Sequence, residues 1–310
     1  MLKILVTGGA GYIGTTLVPM LLEKGYDVTV FDNLLYNGNV LIPFFRNKHF
    51  HFMKGDVRDQ QQVADICQGK DIVIHLAAIV GYGACRKDET QSYEVNVKGT
   101  ENIVNALTDE QYLIHASTGS NYGVLKEVCT ELSPLNPTSL YGRTKTEAES
   151  IVSKSNKNFT AFRFATAFGI SSRLRLDLLI NELSYMSKKQ KYLVVYESHF
   201  MRTFIHVHDI ARSFLFAIEN REIMNRQIYN IGSNTMNLSK KDICNIISKY
   251  TDVYIHYADY DGDADKRNYI VSYDKINAIG FDTSVSVDEG VKELLNSFQV
   301  INIVNSYVNA

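Results

Sequence analysis

The sequence predicts an α/β protein built on a doubly wound parallel sheet, with a smaller mixed α/β domain in the C-terminal half. Three observations carry this prediction. Short, continuous apolar runs alternate with segments of helical period, as in βαβ units whose strands are buried on both faces. A glycine-rich turn follows the first apolar run. The 310 residues are 45% hydrophobic and 21% charged, which is ordinary globular usage and enough chain for two domains.

Strands and helices are predicted to alternate regularly over residues 1–165. Apolar runs predict strands at 3–7, 27–32, 51–54, 71–76, 111–116 and 160–164. Segments with apolar residues on one helical face predict helices at 12–24, 59–68, 88–107 and 139–154. Each helix then crosses from one parallel strand to the next, so the carboxyl ends of the strands meet at one edge of the sheet.

The alternation becomes irregular after residue 165. Strands are predicted in KYLVVYE and MRTFIHVHDIA, and helices at 210–219, 239–249 and 287–297. Asp209 precedes the first of these helices and is predicted to be its N-cap. We therefore predict one domain from residues 1–165 with 202–231, and a second from 166–201 with 232–310.

Charge and cysteine usage restrict the class of protein. The chain has 32 Lys and Arg against 34 Asp and Glu, so no broad basic surface for nucleic acid is expected. No apolar run is long enough for a signal peptide or a membrane span, and we predict a cytosolic protein.

His206 and His208 lack a recognisable third ligand, so no metal site is predicted. The cysteines lack CxxC spacing and read as reduced thiols: Cys67, Cys85, Cys129 and Cys244.

A phosphate-binding turn is predicted directly after the first strand. Gly8, Gly11 and Gly14 are spaced three apart and open the first helix, where unpaired amides and the helix dipole favour a pyrophosphate. Asp32 ends the second predicted strand. A carboxylate there accepts hydrogen bonds from both ribose hydroxyls and repels a 2′-phosphate. The pattern therefore predicts NAD rather than NADP as cofactor.

A candidate catalytic pair lies on the helix predicted at 139–154. Tyr141 and Lys145 are four residues apart and therefore share one helical face. A neighbouring ammonium and a nicotinamide ring both favour the phenolate form of a tyrosine. Tyr141 can thus take a proton from a substrate hydroxyl while a hydride leaves the same carbon for NAD. Thr118, just beyond a predicted strand, can share the hydrogen bond of that hydroxyl.

Together these segments resemble the extended short-chain dehydrogenase/reductase family, which acts mostly on nucleotide sugars. The motifs TGGAGYIG, GDVRD, HLAAIVG, NVKGT, ASTGSNYG, YGRTK, RFATAFG, RTFIHVHDIA and YNIG appear in the family's order. The resemblance implies a Rossmann-type NAD-binding domain followed by a nucleotide-sugar-binding domain. It also implies a homodimer formed through the helices at 88–107 and 139–154.

The resemblance also assigns residues to the two ligands. Thr166 would face the sugar, and Arg202 would grip a phosphate as a bidentate clamp. Arg175 and Arg267 are further candidates for the phosphate, and Ser120 for the substrate. The implied NAD site comprises Gly8, Gly11, Tyr12, Ile13, Gly14, Asp32, Asn33, Asp56, Val57, Leu76, Ala77, Ala78, Asn96, Tyr141 and Lys145.

Departures from the family's subgroups narrow the expected reaction. Sugar 4,6-dehydratases carry Asp-Glu after the threonine, and this chain has Gly119 and Ser120 there. Among the reactions of the family, oxidation at a single sugar hydroxyl remains. The segments RLRLDLLIN and ADKRNYIVS look like those of bacterial GDP-heptose 4-dehydrogenases. We therefore expect 4-keto formation on a GDP-linked heptose or hexose, in the synthesis of surface or capsular polysaccharide, with a UDP-glucose 4-epimerase-like reaction as the alternative. A non-catalytic NAD-binding subunit is a third reading, which the intact Thr118, Tyr141 and Lys145 set disfavours.

Overall fold

A parallel sheet lies at the centre of the protein. The computed structural model describes residues 1–258, 268–301 and 307–309. Its strands are β1 (Lys3–Thr7), β2 (Asp27–Asp32), β3 (Phe50–Lys54), β4 (Ile72–His75), β5 (Tyr112–Thr118), β6 (Asn158–Phe164), β7 (Thr166–Phe168), β8 (Tyr192–Tyr196), β9 (Met201–His206), β10 (Gln227–Ile231), β11 (Asn237–Ser239) and β12 (Tyr254–Ala258). Seven of them form a sheet in the order β10-β6-β5-β4-β1-β2-β3, and every pair in it is parallel.

Helices connect these strands. They are α1 (Gly14–Glu23), α2 (Gln60–Cys67), α3 (Tyr82–Lys87), α4 (Glu89–Tyr93), α5 (Gly99–Ala106), α6 (Leu140–Lys154), α7 (Leu179–Gln190), α8 (Val207–Glu219), α9 (Arg221–Met224), α10 (Lys240–Ser248), α11 (Asp274–Asn277) and α12 (Val287–Ser297). Short 3₁₀ turns lie at Asn39–Arg46, Gly119–Tyr122 and Asn234–Met236, and a π-turn at Glu94–Lys98.

Alternating side chains of the sheet fill two separate cores. Ile4 and Val6 of β1 join the apolar cluster that includes α1 and α8. Leu5, which points to the opposite face, joins the cluster that includes α2, α5 and α6. Strands buried on both faces require apolar residues at consecutive positions, which explains the continuous runs in the sequence. The predicted doubly wound α/β fold is confirmed.

The sheet brings the ends of five strands together on one edge. In β1, Thr7 pairs with Phe31 of β2 and with His75 of β4. In β5, Thr118 pairs with Phe164 at the end of β6. Ligands of open parallel sheets bind outside the carboxyl ends of the strands, where the strand order reverses. Here the reversal lies at β1, next to the glycine-rich turn.

Two local predictions differ from the structure. The helix predicted at 88–107 is interrupted by the π-turn at Glu94–Lys98. Asp209 is not the N-cap of α8, because that helix begins at Val207 and His206 caps it. The buried carboxylate of Asp209 instead accepts hydrogen bonds from the backbone N–H groups of Ser284 and Val285. It anchors the chain that leads into α12.

The C-terminal half contributes two small sheets, β11-β9-β7 and β12-β8. A separate apolar cluster lies among α7, α10 and α12. In the segment 202–231, α8 contacts α1 of the large sheet's layer, and β10 joins the large sheet. Strand β9 instead pairs in the three-stranded sheet. The domain division at 165/166, 201/202 and 231/232 stays a prediction.

The four cysteines are buried free thiols. No helix within the described ranges is long and apolar enough to cross a bilayer.

Candidate active site

One large cavity lies at the carboxyl edge of the sheet and collects most of the predicted site residues. The turn after β1, the ends of β2, β4 and β5, and the start of α6 all line it. So do segments of the C-terminal half. The predicted residues in its lining are Gly8, Gly11, Tyr12, Ile13, Gly14, Asp32, Asn33, Asp56, Val57, Leu76, Ala77, Ala78, Thr118, Ser120, Tyr141, Lys145, Thr166, Arg175 and Arg202.

The backbone of the glycine-rich turn does not accommodate residues that carry a side chain. Gly8 has φ +72°, and a Cβ there would lie 2.6 Å from the backbone nitrogen of Ala77. A Cβ on Gly14 would lie 2.5 Å from the backbone of Gly9. Ile13, the N-cap of α1, offers no side chain to the first amides of the helix. Thr15 N and Thr16 N donate to Gly11 O and Ile13 O, so the amides of the turn just before them, at the positive end of the helix dipole, are the ones that suit an anionic group such as a pyrophosphate.

Asp32 lies beside this turn and is held by backbone amides. One carboxylate oxygen accepts a hydrogen bond from Ala10 N at 3.0 Å, and the other from Leu34 N at 2.8 Å. Each oxygen keeps a second lone pair that can accept from a ribose hydroxyl. Burial raises the pKa of Asp32, although the two amides oppose that shift. The arrangement fits the ribose of NAD, and the carboxylate charge would repel a 2′-phosphate.

We expect Asp32→Asn to weaken NAD binding about 10-fold to 100-fold, because a hydrogen bond to a charged group contributes about 1.5–3 kcal/mol. The variant should also lose much of its preference for NAD over NADP. Calorimetric titration with each dinucleotide measures both effects. Asp59→Asn is the matched control, because Asp59 also accepts from two backbone amides, Gln61 N and Gln62 N, but lies outside the cavity lining. Equal losses of NAD affinity in both variants would contradict the role of Asp32 in binding the ribose.

Asp56 and Asn33 meet on the same side of the cavity. Asn33 Nδ2 donates to Asp56 Oδ2 at 3.2 Å. Arg58 holds both Asp56 oxygens through Nε at 3.0 Å and Nη2 at 2.9 Å, and this pairing lowers the pKa of Asp56. The carboxylate is thereby fixed in orientation. It lines the cavity but shares its lone pairs with Arg58.

The start of α6 places the candidate catalytic pair. Ser139 caps the helix by accepting from Gly142 N at 3.0 Å, which fixes the first turn and hence Tyr141. Tyr141 and Lys145 both line the cavity, as the four-residue spacing predicts. Lys145 is only 3% exposed, and burial lowers its pKa to about 8. Its ammonium is held in a site of low polarity, where charge acts strongly on neighbouring groups.

Thr118 ends β5 and is buried at the cavity wall. Its Oγ1 accepts a hydrogen bond from Ser120 N at 3.1 Å, which caps the 3₁₀ turn Gly119–Tyr122. The hydroxyl hydrogen stays available for a ligand oxygen. Thr118, Tyr141 and Lys145 therefore reach one cavity from two different elements.

The substrate-side arginines are buried and partnered. Arg175 lies against Asp177, to which its Nε and Nη2 both donate. Arg202 is 3% exposed, and its Nη1 donates to Met201 O at 3.2 Å. Thr166 begins β7 at the same wall. Arg267 lies outside the described residues, so its predicted phosphate role has no structural position.

Asn96 is not among the residues that line the cavity, and its place in the cofactor site stays a prediction. Its Oδ1 accepts from Ile79 N at 2.8 Å, and its Nδ2 donates to Ile79 O and to Thr144 Oγ1 at 3.0 Å each. These hydrogen bonds occupy both polar atoms of the side chain, which the π-turn directs toward the loop after β4. Asn96 supports the cavity wall from behind.

Several cavity residues were missed by the sequence reasoning. Arg173 stacks over the ring of Tyr36, 4.2 Å from its centroid, and its Nη2 donates to Asn309 Oδ1 at 2.6 Å. Arg173 belongs to the same RLRLDLLIN segment as Arg175, so that motif was an available signal. Asp177 lies in that same segment and Tyr269 in ADKRNYIVS, whereas nothing local in the sequence marks the others. The missed lining residues include Tyr36, Arg173, Asp177, Glu182, Lys240, Tyr269 and Asn309.

His206 and His208 do not form a metal site with Asp209. His206 Nε2 lies 2.7 Å from Glu293 Oε2, and its other nitrogen accepts from His208 N. Across the described ranges, no group of three His, Cys, Asp or Glu side chains is arranged to hold a metal ion.

Known proteins resemble the chain in both sequence and structure. A family model described as the NAD-dependent epimerase/dehydratase family matches residues 4–232. A UDP-glucose 4-epimerase of Lactobacillus helveticus is 30% identical over 281 residues, covering 83% of this chain and 84% of that protein. A dTDP-glucose 4,6-dehydratase of Streptomyces niveus is 26% identical over 327 residues, covering 96% of this chain and 93% of that protein. A crystal structure of UDP-glucuronic acid 4-epimerase from Bacillus cereus, with UDP-glucuronic acid and NAD, has a TM-score of 0.85 at 24% identity and covers 96% of this chain and 99% of its own.

Proposed function

The chain belongs to the NAD-dependent epimerase/dehydratase family, and from that membership we propose that it is a nucleotide-sugar 4-epimerase. The observation that carries the proposal is the meeting of Tyr141, Lys145 and Thr118 in the cavity of the glycine-rich turn. NAD is the cofactor, and a nucleotide sugar is the substrate. The relatives named above support an epimerase rather than the GDP-heptose 4-dehydrogenase that the second-half motifs favoured.

The residues at the carboxyl edge fit the cofactor. The amides at the start of α1 would receive the pyrophosphate, and Asp32 the adenosine ribose. The crowded backbone at Gly8 and Gly14 shows that the turn is shaped for close approach rather than for side-chain packing. Bound NAD would supply the hydride acceptor for oxidation of the sugar carbon and, in an epimerase, the hydride donor for its reduction from the opposite face.

The chain itself supplies the proton chemistry. Tyr141 Oη takes the proton from the sugar hydroxyl as the carbon is oxidised, and gives it back when the ketone is reduced. The Lys145 ammonium favours the phenolate form of Tyr141. Thr118 Oγ1 hydrogen-bonds the same hydroxyl and fixes its orientation. Arg202 is proposed to bind the diphosphate, since its guanidinium lies at the substrate side of the cavity.

The residues after Thr118 separate an epimerase from a dehydratase. Elimination of water requires an acid and a second base near the sugar, and Gly119 and Ser120 supply neither. The named relatives, among them a UDP-glucose 4-epimerase, support epimerisation over release of the ketone.

We expect the purified protein to interconvert UDP-glucose and UDP-galactose without lasting absorbance at 340 nm. The assay follows both products by chromatography while NADH is monitored, with GDP- and dTDP-sugars in parallel. A 4-dehydrogenase would instead accumulate NADH in proportion to substrate when NAD is in excess. That result, or a protein that binds NAD and changes no sugar, would contradict the epimerase proposal.

The assembly implied by the family resemblance remains a proposal. Helices α5 and α6 pack side by side along the chain's own fold. Sedimentation of the full chain reports the oligomeric state directly.

A further inference from the structure

A buried ion pair lies one helical turn beyond the catalytic pair. Glu149 follows Lys145 by four residues on α6, and Arg163 lies on β6. Arg163 Nη2 donates to Glu149 Oε1 at 2.7 Å, and its Nε donates to both carboxylate oxygens at 3.0 and 3.2 Å. The two residues are only 3% and 4% exposed. Glu149 is not part of the cavity lining, so it lies outside the proposed substrate and cofactor sites.

The same carboxylate holds the strand that carries Thr118. Ser117 Oγ donates to Glu149 Oε2 at 2.6 Å, and Asn121 Nδ2 donates to it at 3.2 Å. These two residues flank Thr118 in the chain. Glu149 is thus bonded to both sides of the segment that places Thr118, while it shares a helix with Tyr141.

Four elements are joined by this one network. Arg163 Nη1 donates to Tyr122 Oη at 3.0 Å, and Tyr122 Oη donates to Asn230 Oδ1 at 2.6 Å. The bonds therefore run from α6 through the end of β5 to β6 and β10. Because the partners are buried and hydrogen-bonded, the network fixes its members in one geometry.

Groups from several elements face the Lys145 ammonium. They are Glu149 of α6, Cys85 of α3, His75 of β4 and His115 of β5. Burial lowers the pKa of His75 to about 3 and that of His115 well below its usual value, so both rings are neutral near pH 7. Burial also raises the pKa of the Cys85 thiol. Of the groups facing Lys145 from its own and neighbouring elements, Glu149 is the carboxylate, and its charge opposes the loss of the Lys145 proton.

We propose that Glu149 is a positioning residue of the reaction, which keeps Lys145 protonated and holds Thr118 in register with Tyr141. The inference rests on the proposed use of Tyr141 as the base. Arg163 keeps the Glu149 carboxylate buried and oriented. The ion pair thereby sets the charge of the active-site lysine from outside the cavity.

The test compares Glu149→Gln with Glu149→Asp, which keeps the charge. Glu147→Gln is the matched control, because Glu147 lies on the exposed face of the same helix and accepts from Tyr93 Oη. Since Glu149→Gln leaves Arg163 buried without its partner and can fail to fold, the double variant Glu149→Gln with Arg163→Met removes both charges together. Two readouts are taken with NAD bound: the pH profile of kcat, and the tyrosinate absorbance of each protein minus that of its Tyr141→Phe counterpart.

We expect the alkaline limb of kcat to move about one pH unit lower in Glu149→Gln and in the double variant, since removal of a facing carboxylate makes a buried ammonium easier to deprotonate. Tyrosinate at position 141 should form at correspondingly higher pH. Glu149→Asp should restore most of the profile, and Glu147→Gln should leave it unchanged. A uniform loss of kcat with an unmoved limb would show a merely structural pair and overturn the inference. A parent protein whose Tyr141 ionises no more readily than free tyrosine would instead overturn its assignment as the base.

Discussion

Tyr141→Phe is expected to lower kcat for nucleotide-sugar conversion by about 100-fold to 10,000-fold, the range in which proton transfer by a positioned side chain contributes. The substitution removes one oxygen and keeps the ring. Lys145 and Thr118 stay in the cavity lining, but neither takes the proton from the sugar hydroxyl in the proposed reaction. NAD affinity should change little, because the cofactor is anchored mainly by the turn at Gly8–Gly14 and by Asp32. Steady-state rates and NAD titration on the same preparation measure both quantities.

Tyr93→Phe is the matched control for this prediction. Tyr93 ends α4, is exposed, and donates to Glu147 Oε1 at 2.9 Å, so the same oxygen is removed outside the cavity. Its kcat should match that of the parent protein. If Tyr141→Phe keeps more than about a tenth of the parent kcat, general-base catalysis by that phenol is contradicted. Another group would then have to carry the proton.

The cofactor half could be predicted from sequence because its signals are local. Gly8 and Gly14 belong to one short turn between a strand and a helix, and Tyr141 and Lys145 are fixed by the helical period alone. Glu149 continues the same spacing and could have been found in the same way. Its partner Arg163 lies on a different strand, and nothing in the local pattern pairs the two.

The residues that sequence reasoning missed depend on contacts between distant segments. Asn309 reaches the cavity by donating to Val80 O across most of the chain, and Lys240 lies at the start of α10 with no motif around it. Asn96 shows the converse case, a motif residue whose side chain is bonded behind the cavity wall. Its motif follows the family's order, but order along the chain does not say where a side chain points. The π-turn turns Asn96 toward Ile79 rather than into the cavity.

Gly8→Ala is expected to abolish measurable NAD binding and to lower the free energy of unfolding by about 3 kcal/mol, from left-handed backbone strain and overpacking together. The residue has φ +72°, and the added Cβ would lie 2.6 Å from Ala77 N, 2.8 Å from Ala77 Cα and 2.9 Å from the carbonyl carbon of Leu76. These are backbone atoms of the loop after β4, and they cannot rotate away. The turn must therefore move, and the amides at the start of α1 move with it.

Gly69→Ala separates strain from crowding. Gly69 has φ +66°, and a Cβ there would meet nothing within 4 Å, so it should cost only the backbone strain, about 1–2 kcal/mol. Denaturant unfolding of both variants gives the difference that arises from crowding against Ala77. Calorimetric titration under conditions where both remain folded then isolates the cofactor effect: Gly69→Ala should bind NAD as the parent does. Parent-like NAD affinity in folded Gly8→Ala would mean that the pyrophosphate does not rest on this turn, because a shifted turn cannot offer the same amides.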